Sequence, residues 1–200
     1  MMLKKISLFL FISLLLNASN SFAAGGPKTE EDWSLLPPFC KARSVASSPE
    51  GQLWEKRLDT HGQGFIHVHH YCGALHDLRL ANSLLATDAD TKMEKRGLYG
   101  AVLPNIKYME EHADPQFVIF PNIYATGAEA LFALDRPVEA TAYLTKSISK
   151  NKKFTKAYKM LADYYIKTGD KKSATEILQE GLKYSPRSRA LQKRLNALSK

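Results

Sequence analysis

Apolar residues fall at helical spacing over most of the chain. Residues 64–86 carry Ile66, His70, Ala74, Leu75, Leu78, Ala81 and Leu85 at intervals of three and four. Residues 97–113 carry Leu98, Ala101, Val102, Ile106 and Met109 in the same way. This period predicts two amphipathic helices. The second should stop at Asp114-Pro115, because the residue before a proline is pushed out of the helical region. The pattern then repeats. Residues 121–154 and 155–188 align at a spacing of 34, which pairs Tyr124 with Tyr158, Ala128 with Ala162, Leu131 with Tyr165, Ala140 with Ala174 and Leu144 with Leu178. Asp135 and Gly169 fall in the same turn of each copy. A last helix is expected over 188–199, where Ala190, Leu191, Leu195 and Leu198 share one face and Arg189, Lys193 and Arg194 the other.

The start of the chain follows a different rule. Two lysines precede an almost wholly apolar run over residues 6–16, followed by Asn17-Ala-Ser-Asn-Ser-Phe-Ala-Ala24. A charged start, a short apolar stretch and a small-residue site make an export signal, bacterial in style. Cleavage is expected after Ala23, with Ala24 as the alternative. The run is shorter than the ~20 residues a membrane span needs, and no later segment is long and apolar enough to cross a bilayer. The expectation is a mature protein in the periplasm or secreted.

The paired repeats resemble the tetratricopeptide repeat (TPR) family. The second copy carries the resemblance best, with Ala157-Tyr-Lys-Met-Leu-Ala-Asp-Tyr-Tyr165, then Gly169-Asp170, Ala174, Leu178, Gly181 and Pro186. The first departs at Gly127, where a large residue is usual, and at Lys152, where proline is usual. Pro137 stands early in a second helix, where its missing N–H costs nothing. The expected fold is all-α, a right-handed solenoid of helical hairpins with a capping C-terminal helix. Its divisions are a signal peptide over 1–23, a partly irregular extension over 24–64 with a flexible tail to residue 32, a divergent helical pair over 65–120, two repeats over 121–188 and the cap over 189–200. Two repeats are few for an independent solenoid, which points to self-association or to support from the N-terminal half. Residues 33–43 and 65–72 resemble a group of exported bacterial TPR proteins, a likeness that supplies no activity.

Composition sharpens this picture at two points. Apolar residues make up 44% of the chain, enough for a packed core. The net charge of +8 is unevenly spread: residues 24–120 hold 10 basic and 13 acidic side chains, residues 121–200 hold 16 basic and 7 acidic. A basic C-terminal half attracts acidic peptides, anionic headgroups or polyanions; export makes nucleic acid the least fitting of these. The resemblance implies a non-enzymatic protein-binding role, with partners on a concave face built from the first helix of each repeat. The matching positions are Asn122, Ala125, Glu129, Phe132 and Ala133, then Lys156, Lys159, Asp163, Ile166 and Lys167, then Lys193 on the cap. Lys159 and Lys193 should stack as a basic ladder that favours an acidic segment or a free carboxylate. The paired asparagines of carboxylate-clamp TPR domains are missing.

The remaining candidate chemistry is concentrated in His67-Val-His69-His70-Tyr-Cys72 and His76. On a helix His69, Cys72 and His76 share a face, and imidazoles with a thiolate suit zinc or copper; His61 stands in the preceding loop. A metal- or haem-associated role through His67, His69, His70 and His76 is therefore the alternative function, although no HExxH, Cys-x-x-Cys or Cys-x-x-Cys-His is present. A Cys72 thiolate activated by His69 or His76 is a further possibility. Against these stands the pairing of Cys40 with Cys72 as a disulfide, the simplest fate of two cysteines in an oxidising compartment. It would pin the 33–40 segment to the 64–86 helix. The plainer reading of the histidines is that some pack between helices and others are exposed. No cofactor and no catalytic residue is assigned.

Overall fold

The computed structural model describes residues 26–59 and 63–199. The expected signal peptide, its cleavage site and His61 lie outside the described residues. The rest is all-α: α1 (Glu30–Ser34), α2 (Pro38–Ser44), α3 (Pro49–Leu58), α4 (Val68–Ser83), α5 (Ala89–His112), α6 (Phe120–Ala133), α7 (Pro137–Lys150), α8 (Thr155–Lys167), α9 (Lys171–Tyr184) and α10 (Arg189–Leu198). Helices α4 and α5, α6 and α7, and α8 and α9 pack as successive hairpins, and α10 closes the stack against α9 and α8. The fold is the helical-repeat solenoid expected from the spacing of 34.

The two repeat copies agree position by position. Ala128, Ala162, Ala140, Ala174, Leu144 and Leu178 are all fully buried. Alanine at these points lets neighbouring helices approach closely, and the leucines fill the seams. The turns agree as well. Asp135 and Gly169 both take positive φ, 60° and 81°. The next backbone N–H, of Arg136 and of Asp170, reaches back to Leu131 O and Tyr165 O at 2.9 Å. That is the left-handed cap in which the orphan carbonyls of a helix end are satisfied. Asp170 then caps α9 through its side chain, accepting from Ser173 N at 2.9 Å.

The core runs along the stack in three linked parts. Val68, Tyr71, Val102, Ile106 and Met109 of α4 and α5 meet Phe120, Ile123 and Tyr124 of α6. Ala128, Leu131, Leu144 and Leu161 join α6, α7 and α8. Tyr158, Ala162, Leu178 and Leu191 join α8, α9 and the cap. The first repeat therefore leans on the N-terminal half.

Three expectations need correction. The helix expected over 64–86 begins at Val68 after a 3₁₀ turn over Phe65–His67. The helix expected from residue 97 begins eight residues earlier, at Ala89, because Asp88 and Thr91 form a capping box. The tail expected to residue 32 is ordered from Thr29, whose hydroxyl accepts from Asp32 N while Asp32 returns the bond to Thr29 N.

Candidate functional site

The first helices of successive hairpins, α4, α6 and α8, lie side by side, with α10 beyond. A line of polar side chains crosses this face. Tyr99 Oη donates to Asn82 Oδ1 (2.7 Å), Asn82 Nδ2 donates to Glu129 Oε1 (3.2 Å), and Lys156 Nζ lies 3.5 Å from Glu129 Oε2. A second line follows: Lys159 stands 3.8 Å from Asp163, and Arg194 grips Asp163 with Nε and Nη2 at 2.6 and 3.0 Å. The lysines of this face are thus interleaved with carboxylates. The charged α10 side chain paired with α8 is Arg194, which shares the Asp163 carboxylate with Lys159. Lys167 and Lys193 are exposed and make no ion pair among the described residues; Asn122 is exposed at the start of α6.

Between the ends of α6 and α8 the face opens into a pocket of about 430 Å³. Phe132 and Tyr164 form one wall, their ring centroids 5.3 Å apart. Met160 and Pro137 complete the apolar lining, and Asp135, Asp163 and Lys167 stand at its rim. Of the residues expected on this face, Phe132, Asp163 and Lys167 meet here. Met160, Tyr164 and Pro137 were not foreseen. Their sequence signal was the turn inside the first repeat, Leu134-Asp135-Arg136, which sets Pro137 at the start of α7 beside the end of α6.

The histidines take two separate positions. His67, His69 and His70 gather with Tyr108 and His112 where the start of α4 meets the end of α5. His70 stacks on Tyr108 (centroids 3.6 Å), Tyr108 on His112 (4.0 Å), and His69 lies 4.3 Å from His70. Asn105 Nδ2 donates to Ala101 O, which turns its Oδ1 toward His70 Nδ1 (3.1 Å). His69 and His112 point Nδ1 at the carbonyls of Ile66 and Tyr108. Burial, then the neighbouring imidazoles, hold His67 and His69 below the ordinary histidine pKa. His112 was absent from the sequence reading, because only the antiparallel packing of α4 and α5 brings residue 112 to residue 67.

His76 lies elsewhere, buried under α1. Its Nε2 is 3.3 Å from Asp32 Oδ1, its Nδ1 is 3.6 Å from Asp77 Oδ1, and Arg79 reaches Asp32 at 3.4 Å. Backbone N–H groups of Lys28 and Thr29 hold the Asp32 carboxyl well below the usual range, while burial pushes Asp77 up. Cys72, one turn away, is joined to Cys40 with Cα atoms 5.6 Å apart. The shared face expected for His69, Cys72 and His76 is therefore dismantled. One sulfur is spent in the disulfide, His76 serves Asp32, and His69 turns outward. Among the described residues no three His, Cys, Asp or Glu side chains converge as a metal-binding set, and no described helix is long and apolar enough to cross a membrane.

No curated protein matches the chain. Residues 131–198, from the end of α6 to the cap α10, match the family model of the tetratricopeptide repeat.

Proposed function

We propose that this chain is a non-enzymatic adaptor or assembly factor of the bacterial cell envelope, which holds an acidic segment of a partner protein on its first-helix face. Tetratricopeptide repeats generally mediate protein–protein interaction. The observation that carries the reading is the pocket between Phe132, Met160 and Tyr164, with the exposed Lys167 at its rim beside Asp135 and Asp163. An apolar recess with few convergent polar groups is the usual form of a binding site. The excess of nine positive charges over residues 121–200 draws acidic chains toward it. Export rests on the N-terminal sequence pattern and suits the Cys40–Cys72 disulfide.

The test is fluorescence anisotropy with labelled acidic and basic peptides of matched apolar content. Acidic peptides should bind more tightly, lose affinity as salt rises, and weaken further on Lys167→Glu or on reversal of Lys156, Lys159 and Lys193. Equal binding of both peptide sets at all salt concentrations would remove the acidic partner from the reading. Cell fractionation with intact mass checks the rest: the mature chain should begin at residue 24 and carry no free thiol.

A further inference from the structure

The first-helix face holds a second apolar recess, outside the residues that match the repeat family. Leu35, Leu36 and Pro37, between α1 and α2, stand over Leu75 and Leu78 of α4 and enclose about 530 Å³, with Arg79 at the edge. Leu35 is 54% exposed, an unusual position for leucine on a rigid turn. The turn is rigid because both its ends are fastened to α4: α2 by Cys40–Cys72, α1 by Asp32 against His76 and Arg79.

This recess and the Phe132–Tyr164 pocket occupy equivalent places. One sits at the C-terminal half of α4, the other at the C-terminal ends of α6 and α8, so both lie along the same edge of the face. Asn82 belongs to the rim of the first recess and also donates to Glu129, which pairs with Lys156. The polar line Asn82–Glu129–Lys156 therefore links α4, α6 and α8 across the face. Arg79, paired with Asp32, stands at the rim of the first recess, and Lys167 stands beside Asp135 and Asp163 at the rim of the second.

We infer that the two recesses form one groove, which binds an extended peptide segment through two bulky apolar side chains set about six residues apart, with an acidic residue beside the anchor that enters the Phe132–Tyr164 pocket. This inference rests on the peptide-binding role proposed above. Neighbouring helix axes lie about 8–10 Å apart, so three adjacent first helices set the recesses roughly 16–20 Å from each other. An extended chain covers about 3.3 Å per residue, which gives about five or six residues. Side chains alternate along an extended chain, so of these two separations only six places both anchors on the side facing the groove. An acidic residue beside the second anchor meets Lys167. The middle of the segment meets the Glu129–Lys156 pair and the Asn82 amide, where uncharged, hydrogen-bonding side chains fit.

The experiment uses the full chain and a series of synthetic peptides with a glutamate beside one end and a serine-glycine centre. Members carry either one leucine or two leucines at stepped separations, and binding is read by anisotropy. Affinity should peak near a separation of six and exceed that of the one-leucine peptide by about tenfold, the scale of a buried anchor residue. Leu35→Asp, at an exposed position, should bring the best two-leucine peptide down to the one-leucine level, and Phe132→Ala should do the same from the other end. If two-leucine peptides bind regardless of separation and of Leu35→Asp, yet still respond to Phe132→Ala and Lys167→Glu, the long groove is wrong while the adaptor reading stands. If no peptide of the series binds the wild-type chain, both fall.

Discussion

At the scale of single residues, cross-links and close contacts decide more than surface charge. Cys40 and Cys72 are 32 positions apart, and closing a loop of that size stabilises a fold by roughly 3 kcal/mol on the loop-entropy argument. Cys72→Ser should therefore lower the thermal midpoint by many degrees, and reductant should do the same to the wild type. Lys159→Ala should shift the midpoint only slightly, since an exposed ion pair contributes about 0–1 kcal/mol. Equal midpoints for wild type and Cys72→Ser under oxidising conditions would show that the strap is held by packing alone. Two glycines offer a contrast of opposite sign. A Cβ on Gly181 would lie 2.8 Å from both Leu191 Cδ1 and Tyr158 Cγ, whereas one on Gly97 would meet nothing within 4 Å. Gly181→Ala overpacks the joint between α8, α9 and the cap and should cost about 1–3 kcal/mol. Gly97→Ala, in the open interior of α5, should gain about 0.5–1 kcal/mol. Urea unfolding of the two variants checks both signs at once.

At the scale of elements, the junction of α4 with α5 makes stability depend on pH. Burial and mutual repulsion lower the pKa of His67 and His69 from the ordinary value of 6.5. Below that value the unfolded chain takes up protons before the folded one, so stability is full above about pH 6.5 and is lost as pH falls toward the depressed folded values. Arg43 adds to the depression at both histidines, and Asp59 opposes it at His67. Asp77 works in the opposite sense, because its raised pKa contributes stability at low pH that is lost on the way up. The histidine contribution is isolated by difference: His67→Phe with His69→Gln should flatten the loss of thermal midpoint between neutral and mildly acidic pH. An unchanged slope would assign that loss to other groups.

The same junction shows what the sequence can and cannot disclose. The repeats were legible because each position recurs: Ala128 with Ala162, Leu144 with Leu178, the turn at Asp135 with that at Gly169. The first turns of α5 were not, because residues 89–96 carry a single large apolar side chain, Met93, and it is 66% exposed. Their helix is set by the Asp88–Thr91 capping box instead of by burial. The face positions Phe132, Asp163 and Lys167 could be read by analogy of position. Their pairing partners could not, because Arg194–Asp163 and Glu129–Lys156 join helices whose relative rotation depends on side-chain packing throughout the stack.

For the whole molecule, the question is what lets two helical repeats stand as an ordered solenoid. The first repeat buries Phe120, Ile123 and Tyr124 against Tyr71, Val102, Ile106 and Met109 of α4 and α5. Tyr143 of α7 donates to Glu110 of α5 at 2.9 Å, and Lys146 adds a bond to the same carboxylate at 2.7 Å. Burial beside Glu110 pushes the Tyr124 phenol up to about 12, so it stays neutral and packed at every ordinary pH. At the other end α10 covers Tyr158 and Leu178 with Leu191, and turns its arginines outward or onto Asp163. The N-terminal hairpin thus does for the first repeat what α10 does for the last: it supplies an apolar surface that another repeat would otherwise provide. A fragment over 114–199 keeps the family match and the cap but uncovers Phe117, Phe120, Ile123 and Tyr124 together. Such a contiguous apolar patch drives association. The fragment should elute as oligomers or aggregates and lose the sharp thermal transition of the full chain, while a co-expressed fragment over 26–113 should restore both. A monomeric 114–199 fragment melting as cooperatively as the full chain would mean that the repeats carry their own stability. The α1–α5 region would then be free to serve the groove alone.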